Sequence, residues 1–117
     1  MDRAIIIVGA EGSGETYTEH YGLVVGTQFV STSYQGTREG HPQFLNNVAD
    51  DFVENISAHP SPLEVGVLNG FKLDRNHRLV RIGNPDSETI QSLSQRISQK
   101  VIDLSERRAL VILVAPN

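Results

Sequence analysis

The sequence predicts an α+β domain, a five- to six-stranded mixed sheet with two amphipathic helices on one face, in the order β-β-α-β-β-α-β. Two unbroken apolar runs of strand length, Ala4–Val8 and Ala109–Ala115, lie near the two ends. Between them, two segments repeat apolar residues at helical spacing, and Asp74-Arg75-Asn76-His77 has the composition of a tight turn. At 117 residues, one domain spanning 1–117 is expected.

Ala4-Ile5-Ile6-Ile7-Val8 is apolar on successive residues and β-branched in four of them, which predicts a strand buried on both faces before a glycine-rich stretch begins at Gly9. Gly22–Val30 reads as a second strand weakened at Gly26. Residues 31–41 are polar and glycine-bearing and read as a loop, after which Pro42 suits the first turn of a helix, where a missing N–H costs nothing. That helix, about Pro42 to Ala58, places Phe44, Val48, Phe52 and Ile56 on one stripe with Leu45, Ala49 and Val53 beside it. Asp50, Asp51, Glu54 and Asn55 take the solvent side. His59-Pro60-Ser61-Pro62 ends the helix, because a residue before proline is pushed out of the α region.

Leu63–Leu73 reads as strand, with Asn69-Gly70 either a tight turn or a bulge, and the turn at 74–77 leads into Arg78–Ile82, making a hairpin. Asn84-Pro85-Asp86-Ser87-Glu88 supplies a capping residue, a proline and early acids. Ile90, Leu93, Ile97, Val101 and Leu104 follow on one stripe of a second helix. Two helices cover about one face of such a sheet, yet both terminal strands are apolar on both sets of side chains. A second copy of the chain, or the sheet curling on itself, is expected to cover the other face. The homo-oligomer is the preferred expectation.

The composition excludes several classes. With 38% apolar and 21% charged residues, the chain is apolar enough to fold. A net charge of −4 makes general affinity for nucleic acid or anionic membrane unlikely. No cysteine is present, so disulfides, thiolate metal sites and cysteine nucleophiles are absent. Ala4–Ala10 is too short for a signal core or a membrane span, so a cytoplasmic protein is expected.

The stretch Gly9-Ala10-Glu11-Gly12-Ser13-Gly14-Glu15-Thr16 resembles the phosphate-binding P-loop in spacing, with Gly9, Gly14 and Thr16 in place. It departs from it at Glu15, which puts a negative charge where the motif's lysine meets phosphate. At ~4 Å and an effective dielectric of ~20 that exchange is worth several kcal/mol. What is left is a candidate anion nest at Gly12, Ser13, Gly14 and Thr16, against the plainer reading of a loop joining two strands.

A second candidate is a local surplus of cations, Lys72, Arg75, His77, Arg78 and Arg81, on the expected hairpin. Converging with Asn76, they would suit a phosphate or carboxylate; spread along an edge, they would only block aggregation. Glu11, Glu15, Glu19 and His20 crowd ten residues, and His41 and His59 flank the first helix. None of them has metal-ligand spacing, so no metal site, cofactor or assigned catalytic residue is expected. Phe29, Phe44, Phe52 and Phe71 are expected in the core, and Tyr17, Tyr21 and Tyr34 in polar loops where they would anchor an interface.

The function expected from these features is a non-enzymatic, homo-oligomeric binding or assembly protein. It would hold a small anionic ligand such as a nucleotide with Gly12, Ser13, Gly14, Thr16, Arg75, Asn76, His77, Arg78 and Arg81. Two alternatives stand beside it: a structural subunit of a larger particle, and a small hydrolase or lyase using Glu/His pairs. Adjacency of the 9–16 stretch and the hairpin decides whether that pocket exists.

Overall fold

The computed structural model describes residues 2–12, 17–37, 39–61, 63–99 and, as backbone alone, 100–104 and 111–114. The elements are β1 (Asp2–Glu11), β2 (Tyr17–Val25), β3 (Gln28–Gly36), α1 (His41–Ser57), β4 (Leu63–Asn69), β5 (Phe71–Leu73), β6 (Leu79–Arg81), α2 (Ser87–Leu104) and β7 (Val111–Val114). A five-stranded mixed sheet has the order β3-β2-β1-β4-β7, and β5 and β6 form a separate two-stranded hairpin.

β1, β2 and β3 make an antiparallel meander, with Ile5 opposite Val24 and Val24 opposite Phe29. β1 to β4 and β4 to β7 are parallel, and both connections step the same way across the sheet. Parallel crossovers are right-handed almost without exception, so consecutive ones in one direction carry their helices to one face. There α1 contributes Leu45, Val48, Ala49, Phe52, Val53 and Ile56, and α2 contributes Ile90, Leu93 and Ile97. They meet Ala4, Ile6, Val8, Leu23, Val65 and Val67 from alternate strand positions in one core. Each of these side chains larger than alanine, fully buried, contributes about 1.5–3 kcal/mol before the cost of ordering it.

The α1 stripe and its exposed acids lie as expected. The α2 helix begins later than its sequence signals suggest. Asp86, rather than Asn84, accepts from the Thr89 N–H at 2.7 Å, and the Ile90 N–H donates to the Asp86 carbonyl.

The meander corrects three expectations. Gly22–Val30 is not one strand: Val25 pairs with Gln28 around a two-residue loop in which Gly26 has φ +61°, the sign that the first position of a type II′ turn needs. Residues 28–36, expected to be mostly loop, form an edge strand, since an edge needs only one apolar row. Tyr17–Tyr21 belong to β2, which buries Tyr21 at 1% exposure instead of leaving it in a loop.

The second sheet face has a cover that the sequence reading did not consider. At Gly70 (φ +86°) the chain leaves β4, so Asn69-Gly70 is neither a bulge nor a closed turn but a hand-over from one sheet to the other. Gly70 N–H donates to the Val8 carbonyl at 2.6 Å, Ile82 N–H to the Gly70 carbonyl at 2.7 Å, and Ala10 N–H to the Gly83 carbonyl at 2.9 Å. These bonds root the hairpin on β1. From there β5 lies over β1 and β2, and the tip reaches β3, where the His77 ring sits 3.8 Å from the Phe29 ring. Gly9 makes room for the crossing. A Cβ on Gly9 would collide with the Phe71 carbonyl oxygen, whereas one on Gly22 would make only ordinary contacts with Ile7 and the Leu73 methyl. The cover is incomplete, because Ile5 and Phe29 remain 41% and 38% exposed; Phe29 is therefore not the core residue expected.

Candidate functional site

Two clefts open on opposite faces of the sheet. The first lies under the hairpin, with a volume of about 250 Å³. Its floor is Ile7 and Gly22, Lys72 and Leu73 form one wall, Ser31 and Ser33 of β3 the other, and His20 closes an end. Strand register explains the grouping: Gly22 faces Ser31 and His20 faces Ser33, so these four share the non-helical face.

One carboxylate organises this cleft. Glu11 accepts from Lys72 Nζ at 2.8 Å and meets His20 Nε2 at 2.5 Å, all at Oε1. The Lys72 bond first, then His20, holds the Glu11 carboxyl below its ordinary value.

The base of the glycine-rich stretch and the hairpin are therefore neighbours. The anion nest is only partly placed. Gly9 to Glu11 are strand residues, not loop, and Tyr17 opens an antiparallel strand instead of the helix a P-loop requires. Gly12 follows β1 with φ +97°, while Ser13, Gly14 and Thr16 lie outside the described residues.

The hairpin cations do not converge. Arg81 stacks over the Phe71 ring at 5.5 Å near the hairpin root. Arg75, Asn76 and Arg78 are exposed at the tip, where the Asn76 and Arg78 backbone N–H groups donate to Asp74 Oδ1 at 2.8 and 3.0 Å. Bonding to the Arg78 backbone, more than any other contact, keeps the Asp74 carboxyl below its ordinary value. His77 (φ +60°) packs on Phe29. Only Lys72 of this set lines the cleft. Ser31 and Ser33 were missed by reading a loop; their period-two placement, in a segment two residues from Val25, was the available signal.

The second cleft, about 320 Å³, lies on the helical side and is lined by residues including Tyr17, His41, Asp86, Ser92 and Arg96. Glu19, 2% exposed, accepts from the Tyr21 hydroxyl at 2.7 Å and lies 3.4 Å from His41 Nε2; that nitrogen is 2.8 Å from the Tyr21 oxygen. Burial, and then the bond to Glu19, pushes the Tyr21 hydroxyl far above its ordinary value, so it remains a donor. Tyr17 and Tyr34 flank the His41 ring at 5.6 and 5.2 Å, and the Tyr34 hydroxyl bonds the Thr37 carbonyl. Arg96 Nε donates to Asn46 Oδ1 at 2.5 Å, tying α2 to α1 at the cleft. Of the Glu/His residues singled out in the sequence, two pairs form, Glu11–His20 and Glu19–His41, while His59 lies 3.6 Å from Asp2. Glu15 lies outside the described residues.

No helix among the described residues is long and apolar enough to cross a membrane. No family model matches the chain, and no curated protein matches it. Among solved structures, the crystal structure of LC11-RNase H1 in complex with an RNA/DNA hybrid is similar at 11% identity and a TM-score of 0.40, covering 98% of this chain and 86% of that one.

Proposed function

We propose that this domain binds a small anionic ligand, one carrying a phosphate or carboxylate as a nucleotide does, in the cleft under the hairpin. The observation that supports it is the convergence of Lys72 and His20 on Glu11 beside the hydroxyl-bearing wall of Ser31 and Ser33. Lys72 and His20 bring N–H groups that a ligand oxygen can share with Glu11, and serine hydroxyls donate to its oxygens. This moves the expected pocket from the hairpin tip to its root, so Lys72 replaces Arg75 and Arg78 as the anchoring cation.

Titration with inorganic phosphate, followed by amide NMR shifts, tests the reading. Shifts confined to His20, Ser31, Ser33 and Lys72, weakened at least tenfold in affinity by Lys72→Met, are expected. Shifts spread over all exposed cations, unchanged by Lys72→Met, would overturn it.

Self-association is a second reading, favoured by an apolar row. Ile5, Val24 and Phe29 lie side by side across three strands, and Ile5 and Phe29 remain partly exposed despite the hairpin. Light scattering at micromolar concentration decides it: a dimer or larger species reduced to monomer by Ile5→Lys is the expected outcome, and a monomeric wild type refutes it.

A further inference from the structure

The helix-side cleft contains an arrangement that anion binding under the hairpin does not use. A carboxylate as buried as Glu19 is costly unless it is bonded and charge-compensated. Glu19 has two such partners, Tyr21 and His41, and the second lines a cleft open to solvent.

The hydrogen bonds fix the imidazole tautomer. Tyr21 gives its proton to Glu19, so its oxygen is free to accept, and a proton on His41 Nε2 satisfies both the Tyr21 oxygen and Glu19 Oε1. In the neutral ring Nδ1 then carries the lone pair. His41 itself lines the cleft, and the Tyr21 and Glu19 contacts engage its Nε2, on the other side of the ring from Nδ1. The flanking rings of Tyr17 and Tyr34 restrict rotation of the imidazole. Arg96, its Nε held by Asn46, lines the same cleft together with the carboxylates Asp86 and Glu88 and is the cation there that can face an oxyanion.

We propose that this cleft hydrolyses a small carboxylic ester, with His41 as general base and acid, Arg96 facing the developing oxyanion, and Glu19 and Tyr21 as positioning residues. A water molecule passes a proton to Nδ1 as its oxygen bonds to the acyl carbon. Collapse of the tetrahedral species breaks the acyl carbon–oxygen bond, and the proton on Nδ1 goes to the departing alkoxide. The products are one acid and one alcohol, and no co-reactant besides water is consumed. The assignment is independent of the anion site, which lies on the other face of the sheet.

The test is hydrolysis of 4-nitrophenyl acetate from pH 5 to 9 by the wild type, His41→Gln, Glu19→Gln and, as a control for surface histidine, His59→Gln. Expected are a wild-type kcat/KM about 100-fold or more above that of His41→Gln, and no change in His59→Gln. In Glu19→Gln kcat should fall at least tenfold with KM little changed, because the imidazole loses the carboxylate that orients it while the cleft that holds the ester keeps its lining. A His41→Gln rate within twofold of the wild type overturns the proposal, as does an unchanged kcat in Glu19→Gln. If His41→Gln does not fold, carbethoxylation of wild-type His41, mapped by mass spectrometry, decides instead. Activity lost in step with labelling at His41 supports the assignment, and full activity with His41 labelled overturns it.

Discussion

Lys72 and Glu11, 61 residues apart in the chain, meet at 2.8 Å and fasten the hairpin to the end of β1. The pair is partly solvated, and its main effect is on charge. Glu11→Gln should tighten phosphate binding, since Lys72 and His20 lose their competing carboxylate; Lys72→Met should weaken it. Calorimetric titration of both variants checks the opposite signs.

The same carboxylate sets an acid response. Its folded-state value is lowered, so the stability it contributes is present above its ordinary value of 4.5 and is lost as pH falls through the lowered one. Thermal melts between pH 6 and 3 should show a shallower loss of Tm in Glu11→Gln than in the wild type.

Tyr21 predicts an alkaline counterpart. Its hydroxyl is raised above the ordinary 10.0, so the folded state retains a proton that the unfolded chain releases. Stability should fall as pH rises beyond about 10, and Tyr21→Phe should flatten that limb. At neutral pH the same substitution leaves Glu19 one donor short and should cost about 1–3 kcal/mol in urea unfolding.

Gly9 and Gly26 make an opposed pair. Gly9→Ala drives a methyl into the Phe71 carbonyl and the Ile82 side chain and should destabilise by about 1–3 kcal/mol, with loss of hairpin amide protection. Gly26 has open space around it and φ +61°, so Gly26→Asn meets backbone strain alone and should lower Tm modestly while hairpin amide protection stays intact. Equal effects at the two positions would contradict the crossing geometry.

At the hairpin tip, Asp74 binds two backbone N–H groups. Asp74→Ala should speed hydrogen exchange at Asn76 and Arg78 without altering the exchange of α1, whereas Asp74→Asn should retain most of the protection.

What could be read from sequence follows from range. The α1 stripe, the 90–97 part of the α2 stripe, the 74–77 turn and the Ala4–Val8 strand are local patterns, and they fall where expected, although Ile5 is 41% exposed and the side chains of Val101 and Leu104 lie outside the described residues. Gly26 was ambiguous because a glycine with positive φ serves a bulge or a turn equally, and pairing of Val25 with Gln28 decides between them. Misreading that turn displaced β3 and hid Ser31, Ser33 and the Glu19–Tyr21 alternation together. The contact of Lys72 with Glu11 depends on where Gly70 redirects the chain, and local composition does not encode it. For the same reason His41, at the start of α1, gave no sign of its distant partners Glu19 and Tyr21.

The hairpin that bridges β1 to β3 also bears on the order in which the molecule assembles. Its anchors pair residues far apart in sequence, Glu11 with Lys72 and Phe29 with His77, so it has no surface to rest on until the meander exists. It should dock late in folding and detach first in the native state as a cooperative unit. Such detachment would expose Ile7 and dismantle the cleft beneath it while the helical layer stays intact. Ligand exchange at that site could then keep time with a local opening rather than with global unfolding, and slower amide exchange across residues 71–81 on adding phosphate would report the coupling.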